Sequence, residues 1–471
     1  MAQVRTDDGV VEARSAALPR ELGVVDLALT QILFIVGLPW VGVAAKLGPS
    51  HVVFWLLAIA LFYLPSAAVV TYLNRLMPLE GGLYQWAKLG FNDLVGFLVA
   101  WNLWLFAILN ASEAGLQVTQ YAGYVAPSAA AALNSRLVVS IVNALLIGGL
   151  VAITVRGLSV GKWVHTAGGA LLLLIFAAIL ILPWLNVARG TLTSFHPLAA
   201  AAPSITIFSL NILGKMGFGA LGGFEYVAIH AGECRNPVRS IARSVAVAAP
   251  IIAAMFILGT SSVLALVPGD QIDLIAPIPQ VLSAGFRPFG AAGAAAPLAI
   301  AALACVRVAQ SSVMFAGTTR LPMVAGWDGV LPPWFTRLDA RYRTPVNSIL
   351  FVGAATFALA TAGLVGVGKQ EAFQLLWNAS AIFYALTYLV MFAIPLAGLR
   401  GRAARPPIWL RAAALSGFLM TALYVTLSIL PIIEVESRLV FAAKICGLIV
   451  VTNLVGAAIF LGKRGARTPW R

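Results

Sequence analysis

The stretch Asn211-Ile212-Leu213-Gly214-Lys215-Met216-Gly217-Phe218-Gly219-Ala220-Leu221-Gly222-Gly223-Phe224-Glu225 is apolar enough to lie inside a membrane and poorly suited to remain one continuous helix. Five glycines fall between positions 214 and 223, and each costs a helix interior about 1 kcal/mol against alanine. Alone, the stretch fits two readings: helices packed closely through small residues, or a helix interrupted ahead of Glu225. A second stretch bears on the choice. Leu22-Gly23-Val24-Val25-Asp26 opens an apolar run to Ile35-Val36, which then meets Gly37-Leu38-Pro39-Trp40. Proline inside a span removes a backbone donor and crowds the preceding turn, so this segment by itself reads as a kink or a break. The two stretches lie five spans apart, in the first and sixth spans. Carriers made of two inverted five-helix repeats place their binding site at such paired discontinuities, where unwound backbone faces a cavity and half-helix ends present partial charge. The pairing favours the interrupted reading for both.

Composition makes lipid the main solvent. Of 471 residues 61% are hydrophobic and 10% charged, with mean hydropathy +0.93, whereas a soluble domain carries about 25% charged residues. Twelve apolar stretches can be marked between 23 and 462, each close to the roughly 20 residues that a span requires. The net charge is +14. With an even number of spans, about 22 of the 31 basic residues fall on the side of both termini, about 6 on the other and about 3 within spans. That asymmetry predicts a multi-pass protein of the plasma (inner) membrane with both termini cytoplasmic, and it explains the basicity without nucleic acid. The polar residues 1–21 lack the apolar core of a signal peptide and read as a cytoplasmic tail. The expected organisation is that tail, a first five-helix repeat over 22–186, a second over 187–398, and two further helices with a cytoplasmic tail over 399–471. Segment 268–289, with Pro268, Pro277 and Pro279, reads as a lid on the outer face. Cys234, Cys305 and Cys446 are scattered without metal-ligand spacing, and no cofactor is expected.

Four dispersed motifs carry a family resemblance over nearly the whole chain. The first runs from Leu22-Gly23 through Asp26 to Gly37, and the second is Met77-Pro78-Leu79-Glu80-Gly81-Gly82-Leu83-Tyr84-Gln85-Trp86. The third joins Gly223-Phe224-Glu225 to Glu233-Cys234-Arg235-Asn236-Pro237. The fourth runs from Thr318-Thr319-Arg320 through Asp328-Gly329-Val330-Leu331-Pro332 to Thr344-Pro345-Val346-Asn347. In this order they resemble the amino acid–polyamine–organocation (APC) transporter superfamily. The resemblance implies an all-α integral membrane protein of about twelve transmembrane helices, with the LeuT-like five-plus-five inverted-repeat fold, broken helices 1 and 6, and two extra helices. Amino-acid members usually carry Gly-Ser/Ala-Gly at the first break, where backbone amides receive the substrate carboxylate. Here those positions are Gly37, Leu38 and Pro39, and Pro39 has no N–H to offer. The Gly-x-Pro-aromatic break, and the third span from Trp101-Asn102-Leu103-Trp104 to Asn110-Ala111, are similar to the polyamine branch. Val43 and Ser66, however, stand where acidic residues of that branch are expected. Gly219 holds the position of a gating tryptophan found in some arginine-handling members.

The breaks and the resemblance together nominate Gly37, Leu38, Pro39, Trp40, Gly219, Ala220, Leu221, Gly222 and Gly223 as substrate-binding residues, with Asn110 and Glu113 behind them. Glu225, Lys215, Arg307 and Trp377 are the candidates for coupling or gating. A charge at membrane depth costs at least about 2.5–3.5 kcal/mol and needs a partner or a cavity. For Glu113 three readings stand: a pair with Lys215, direct contact with a substrate ammonium, or a purely structural ion pair. Glu225 reads as a coupling carboxylate or as one bonded to loosened backbone amides. Arg307 reads as snorkelling, binding a loop carbonyl or neutralising Glu225, and Lys444 as reaching an interface. His230 is a candidate proton relay. A sodium ion near the first break would draw on Ser311, Ser312, Thr318 or Thr319 of the eighth span. The proton-carrying lysine found in the fifth helix of some members has no counterpart in Ala170-Leu171-Leu172.

The expected activity is secondary transport, by alternating access, of an amino acid or related amine, with a polyamine or other organocation as the alternative. Coupling stays open between protons and exchange. A substrate sensor that does not transport is a further class. An enzyme would need a metal cluster or a nucleophile–base group, and the sequence displays neither. The expected partners are a small amine-bearing molecule, membrane lipid and protons.

Overall fold

The computed structural model describes residues 22–78, 81–327, 329, 331–362, 369–397, 406–432, 435 and 437–465. Both tails, and Leu79, Glu80, Asp328 and Val330 of the quoted motifs, lie outside the described residues. Within them the chain is helical, with one isolated β-bridge between Leu22 and Cys234. The first half holds α1 (Val24–Ile35), α2 (Leu38–Ala45), α3 (Gly48–Leu76), α4 (Leu83–Gly90), α5 (Asp93–Val125), α6 (Arg136–Arg156) and α7 (Leu158–Ala188). The second half holds α8 (Ile207–Gly214), α9 (Pro237–Leu266), α10 (Pro277–Phe286), α11 (Ala295–Trp327), α12 (Val346–Ala362) and α13 (Lys369–Ala397). α14 (Ile408–Leu427) and α15 (Arg438–Gly465) follow. Among the described residues, nine helices are long and apolar enough to cross a membrane, or ten if the bent pair α1–α2 is one span. The stretch Val346–Thr361 is apolar but shorter. The protein is an all-α, multi-pass membrane bundle.

Local chemistry sets where these helices start. Asn92 precedes α5 and its side chain accepts from Val95 N (3.0 Å). Asn236 does the same for α9 from Arg239 N (3.2 Å), with Pro237 in the first turn. Both supply an acceptor to amides that have no partner within the helix, and proline there loses nothing. The Asn236-Pro237 motif is therefore a helix start.

The most buried spans are α5, α11 and α13, while α15 turns Leu439, Val451 and Leu454 outward. An apolar rim of this kind suits lipid, which gives no drive to bury it. α1 runs through the interior against α7, α9 and α11. At its far end, α10 covers α2: a Cβ on Gly42 would lie 2.8 Å from Pro277 Cβ. Asp273 ties this cover to α5 by accepting from the Tyr124 hydroxyl (2.8 Å).

Candidate functional site

α1 stops at Val36, whose ψ of 78° leaves the helix, and Gly37 continues extended at φ −75°, ψ 119°. α2 departs at 48° to α1, with Pro39 in its first turn. An amide in that turn has no intrahelical acceptor anyway, so Pro39 begins a helix here instead of bending one. The Gly37 and Trp40 amides turn to Ile35 O (2.7 Å) and Gly37 O (3.2 Å), which strands carbonyls at the end of α1.

The second interruption is built differently. α8 passes into a π turn over Lys215–Ala220, Leu221 leaves helical geometry, and the chain resumes as a 3₁₀ helix over Tyr226–Glu233. A π turn spends an extra residue per turn and is common at functional sites. Between them Gly223 adopts φ +141°, a region only glycine enters readily. A Cβ there would lie 2.6 Å from Ile35 Cγ1 and 2.7 Å from Phe34 Cδ1. The two interruptions thus touch. At bare Gly219 the Trp40 indole fills the space, 2.7 Å from where a Cβ would stand.

A cavity of about 50 Å³ lies between the interrupted segments. Of the nominated residues, Gly37, Trp40, Asn110, Gly219, Gly222 and Trp377 line it. Phe34, Phe106, Phe218, Met314, Ser380 and Tyr384 complete most of the wall. Leu38, Pro39, Ala220, Leu221 and Gly223 are buried but are not among the lining residues. A space of this size holds a few waters. Toward Lys46, Trp40 packs against Trp377 (centroids 5.4 Å) and Trp377 against Phe373 (5.5 Å). Toward Leu22, Phe34 stacks on Tyr226 (4.0 Å), whose hydroxyl donates to Met314 O (2.5 Å).

Beside the cavity, Glu225 is buried with its two carboxylate oxygens accepting from the Tyr384 and Tyr388 hydroxyls. Tyr388 in turn accepts from Gly223 N (2.6 Å), so one hydroxyl links the unwound backbone to the carboxylate. Tyr384 also stacks on Phe106 (4.3 Å) and faces the cavity. Glu225 is held by neutral hydroxyls, and no cation forms an ion pair with it among the described residues.

Glu113 sits where α5 is briefly interrupted, between Ser112 and Ala114. The expected Glu113–Lys215 pair does not form. Glu113 Oε1 instead meets Arg307 Nη2 at 2.6 Å, both side chains being buried. The same nitrogen donates to Asn110 O (3.1 Å) and Oδ1 (3.2 Å), which joins the pair to the cavity wall. Arg307 therefore neutralises Glu113 and not Glu225. Lys215 points away, donating to Ser428 Oγ (3.1 Å) with its ammonium 5.6 Å from the Tyr424 ring centre. A hydroxyl and an aromatic face partly replace its hydration. Lys444 pairs with Glu371 (3.1 Å), partly exposed. The His230 side chain falls outside the described residues. Near Leu22, Arg320 and Glu233 form a buried ion pair, and Leu22 N donates to Glu233 O (3.1 Å). Tyr384 and Tyr388 escaped the sequence reading. Their signal was the i, i+4, i+8 spacing of Ser380, Tyr384 and Tyr388, which puts three hydroxyls on one face of an otherwise apolar helix.

Residues 22–453 match the family described as amino acid permease. The chain belongs to that family. The permease is 24% identical over 381 residues to an uncharacterized transporter of Legionella pneumophila, covering 79% of this chain and 80% of the relative. It is 23% identical over 359 residues to a probable agmatine/putrescine antiporter of Lactococcus lactis, covering 74% and 73%. It is 21% identical over 387 residues to the methylthioribose transporter of Bacillus subtilis, covering 78% and 81%. Among the permease's described residues no three His, Cys, Asp or Glu side chains gather to hold a metal ion.

Proposed function

We propose that this permease is a secondary carrier that moves an amino acid or related amine-bearing solute by alternating access. The observation that carries this reading is the small cavity between two touching interruptions, covered by aromatic rings on both sides. A carrier needs a site that can be sealed from either direction, and this arrangement supplies both seals. In this reading α1–α2 and the segment from α8 to Glu233 are the first and sixth of twelve crossings. Residues 22–186 and 187–398 form the inverted repeats, 399–471 carry the extra helices, and both termini are cytoplasmic in a plasma (inner) membrane. The Trp40–Trp377–Phe373 group is then the outer gate. Asn110 on the wall and Glu225 beside it form the polar and acidic surroundings that favour an ammonium group, with protons or exchange as the drive.

A second reading, a polyamine or other organocation as substrate, draws on Pro39. The α2 start lacks one of the amides that would receive a substrate carboxylate, and a relative carries the name of an agmatine/putrescine antiporter. Purified permease in detergent, heated with arginine, lysine, putrescine, agmatine or spermidine, distinguishes the two. The true class raises the melting temperature in proportion to the logarithm of its concentration, because it binds only the folded protein. Stabilisation by putrescine and agmatine but by no amino acid establishes the second reading. Stabilisation by no amine removes both. Binding without uptake into proteoliposomes would leave a sensor.

A further inference from the structure

The stranded carbonyls at the end of α1 are already occupied. A helix C-terminus concentrates about half a unit of negative charge on such groups, and at broken helices of carriers they coordinate coupling cations. Here Gln310 of α11, itself buried, aims one nitrogen at both: Nε2 donates to Leu33 O (3.0 Å) and to Val36 O (2.9 Å).

Among the described residues, none of the four hydroxyls that the sequence offered for a sodium site hydrogen-bonds to these carbonyls. Ser312 Oγ lies 3.2 Å from His165 Nε2. Thr318 and Thr319 donate within their own helix, to Met314 O and to Ala316 O (3.0 Å) respectively. Ser311 Oγ is buried without a hydrogen-bond partner. The Gln310 amide nitrogen thus holds the place between Leu33 O and Val36 O that an ion bound to both would take. The Gln310 side chain brings hydrogen-bond donors to these carbonyls, where a cation needs acceptors.

We propose that the Gln310 amide is a tethered, neutral stand-in for a coupling cation, making the first break independent of sodium. A side-chain amide carries two N–H donors on one atom and so satisfies two converging carbonyls, as a small cation would. Unlike an ion it cannot leave. The end of α1 stays fastened to α11 whatever the salt, and the drive for transport must come from elsewhere, from protons or from a counter-substrate. This inference rests on the carrier reading for its consequence, but its test uses no transport. Failure of the one is therefore distinguishable from failure of the other.

The test compares melting temperatures of purified protein in sodium chloride and in choline chloride at equal concentration. Wild type is expected to melt at the same temperature in both. Gln310→Met fills similar volume but leaves both carbonyls bare, and is expected to melt several degrees lower. Gln310→Glu puts a carboxylate opposite the carbonyls and is expected to regain stability in sodium chloride only. A sodium-dependent rise in wild type overturns the inference, since it shows a cation bound with the amide in place. So does Gln310→Met melting with wild type, or Gln310→Glu melting alike in both salts. The wild-type comparison stands even if a variant does not fold.

Discussion

Arg307→Met is expected to lose about 3–5 kcal/mol of stability, the usual loss when one member of a buried ion pair is removed. The reason is the setting: Arg307 meets Glu113 at 2.6 Å with both side chains buried, and it also holds Asn110 by two hydrogen bonds. Methionine takes up similar space but leaves a carboxylate facing apolar neighbours. The measurement is thermal unfolding in detergent, where Arg307→Met should melt well below wild type. Glu113→Gln combined with Arg307→Met should recover much of the difference, because removing both charges of a buried pair is often close to neutral. The shortfall from additivity then measures the coupling between the two. A single variant that melts with wild type would show that the pair holds nothing in place.

Glu225→Gln should behave in the opposite way, folding well and transporting poorly. Glutamine keeps the shape, and its amide can still meet the Tyr384 and Tyr388 hydroxyls that now donate to the carboxylate. What goes is the ionisable group. An amide cannot take up or release a proton, so a cycle that runs through this carboxyl should slow by about tenfold or more, equivalent to about 1.4 kcal/mol on its barrier. Uptake driven by an inward proton gradient, using whichever amine stabilises the protein, is expected to fall by that factor. Exchange of labelled for unlabelled substrate at equal pH should persist, since it needs no net proton movement. Undiminished gradient-driven uptake in Glu225→Gln would remove this carboxylate from any coupling role.

These two cases also mark what a sequence can and cannot display. The departures from helix at Gly37 and at Gly222–Gly223 arise from glycine and proline, whose effects are local and so visible in one stretch of chain. The partner of Glu113 is a different matter. It depends on how α5, α8 and α11 are rotated about their axes, and each residue along a helix turns the side chain by about 100°. A buried glutamate invites a nearby basic residue, and of the three basic residues within spans both Lys215 and Arg307 were candidates. Spacing could not choose between them. The same rotation separates Gln310, which reaches the end of α1, from Ser311 and Ser312 beside it, which do not. Tyr384 and Tyr388 were legible as a spaced pair of hydroxyls, but only the fold places Glu225 between them.

The aromatic cover over the cavity has a consequence of another kind. Trp40 and Phe373 are buried and Trp377 is half-buried, so parting them must bring apolar ring surface into contact with water. Exposure of apolar surface raises heat capacity, by about 0.45 cal/K/mol for each Å². Opening toward Lys46 is then a step whose enthalpy and entropy both drift with temperature. Wherever that step limits the cycle, turnover plotted against inverse temperature follows a curve and has no single activation energy.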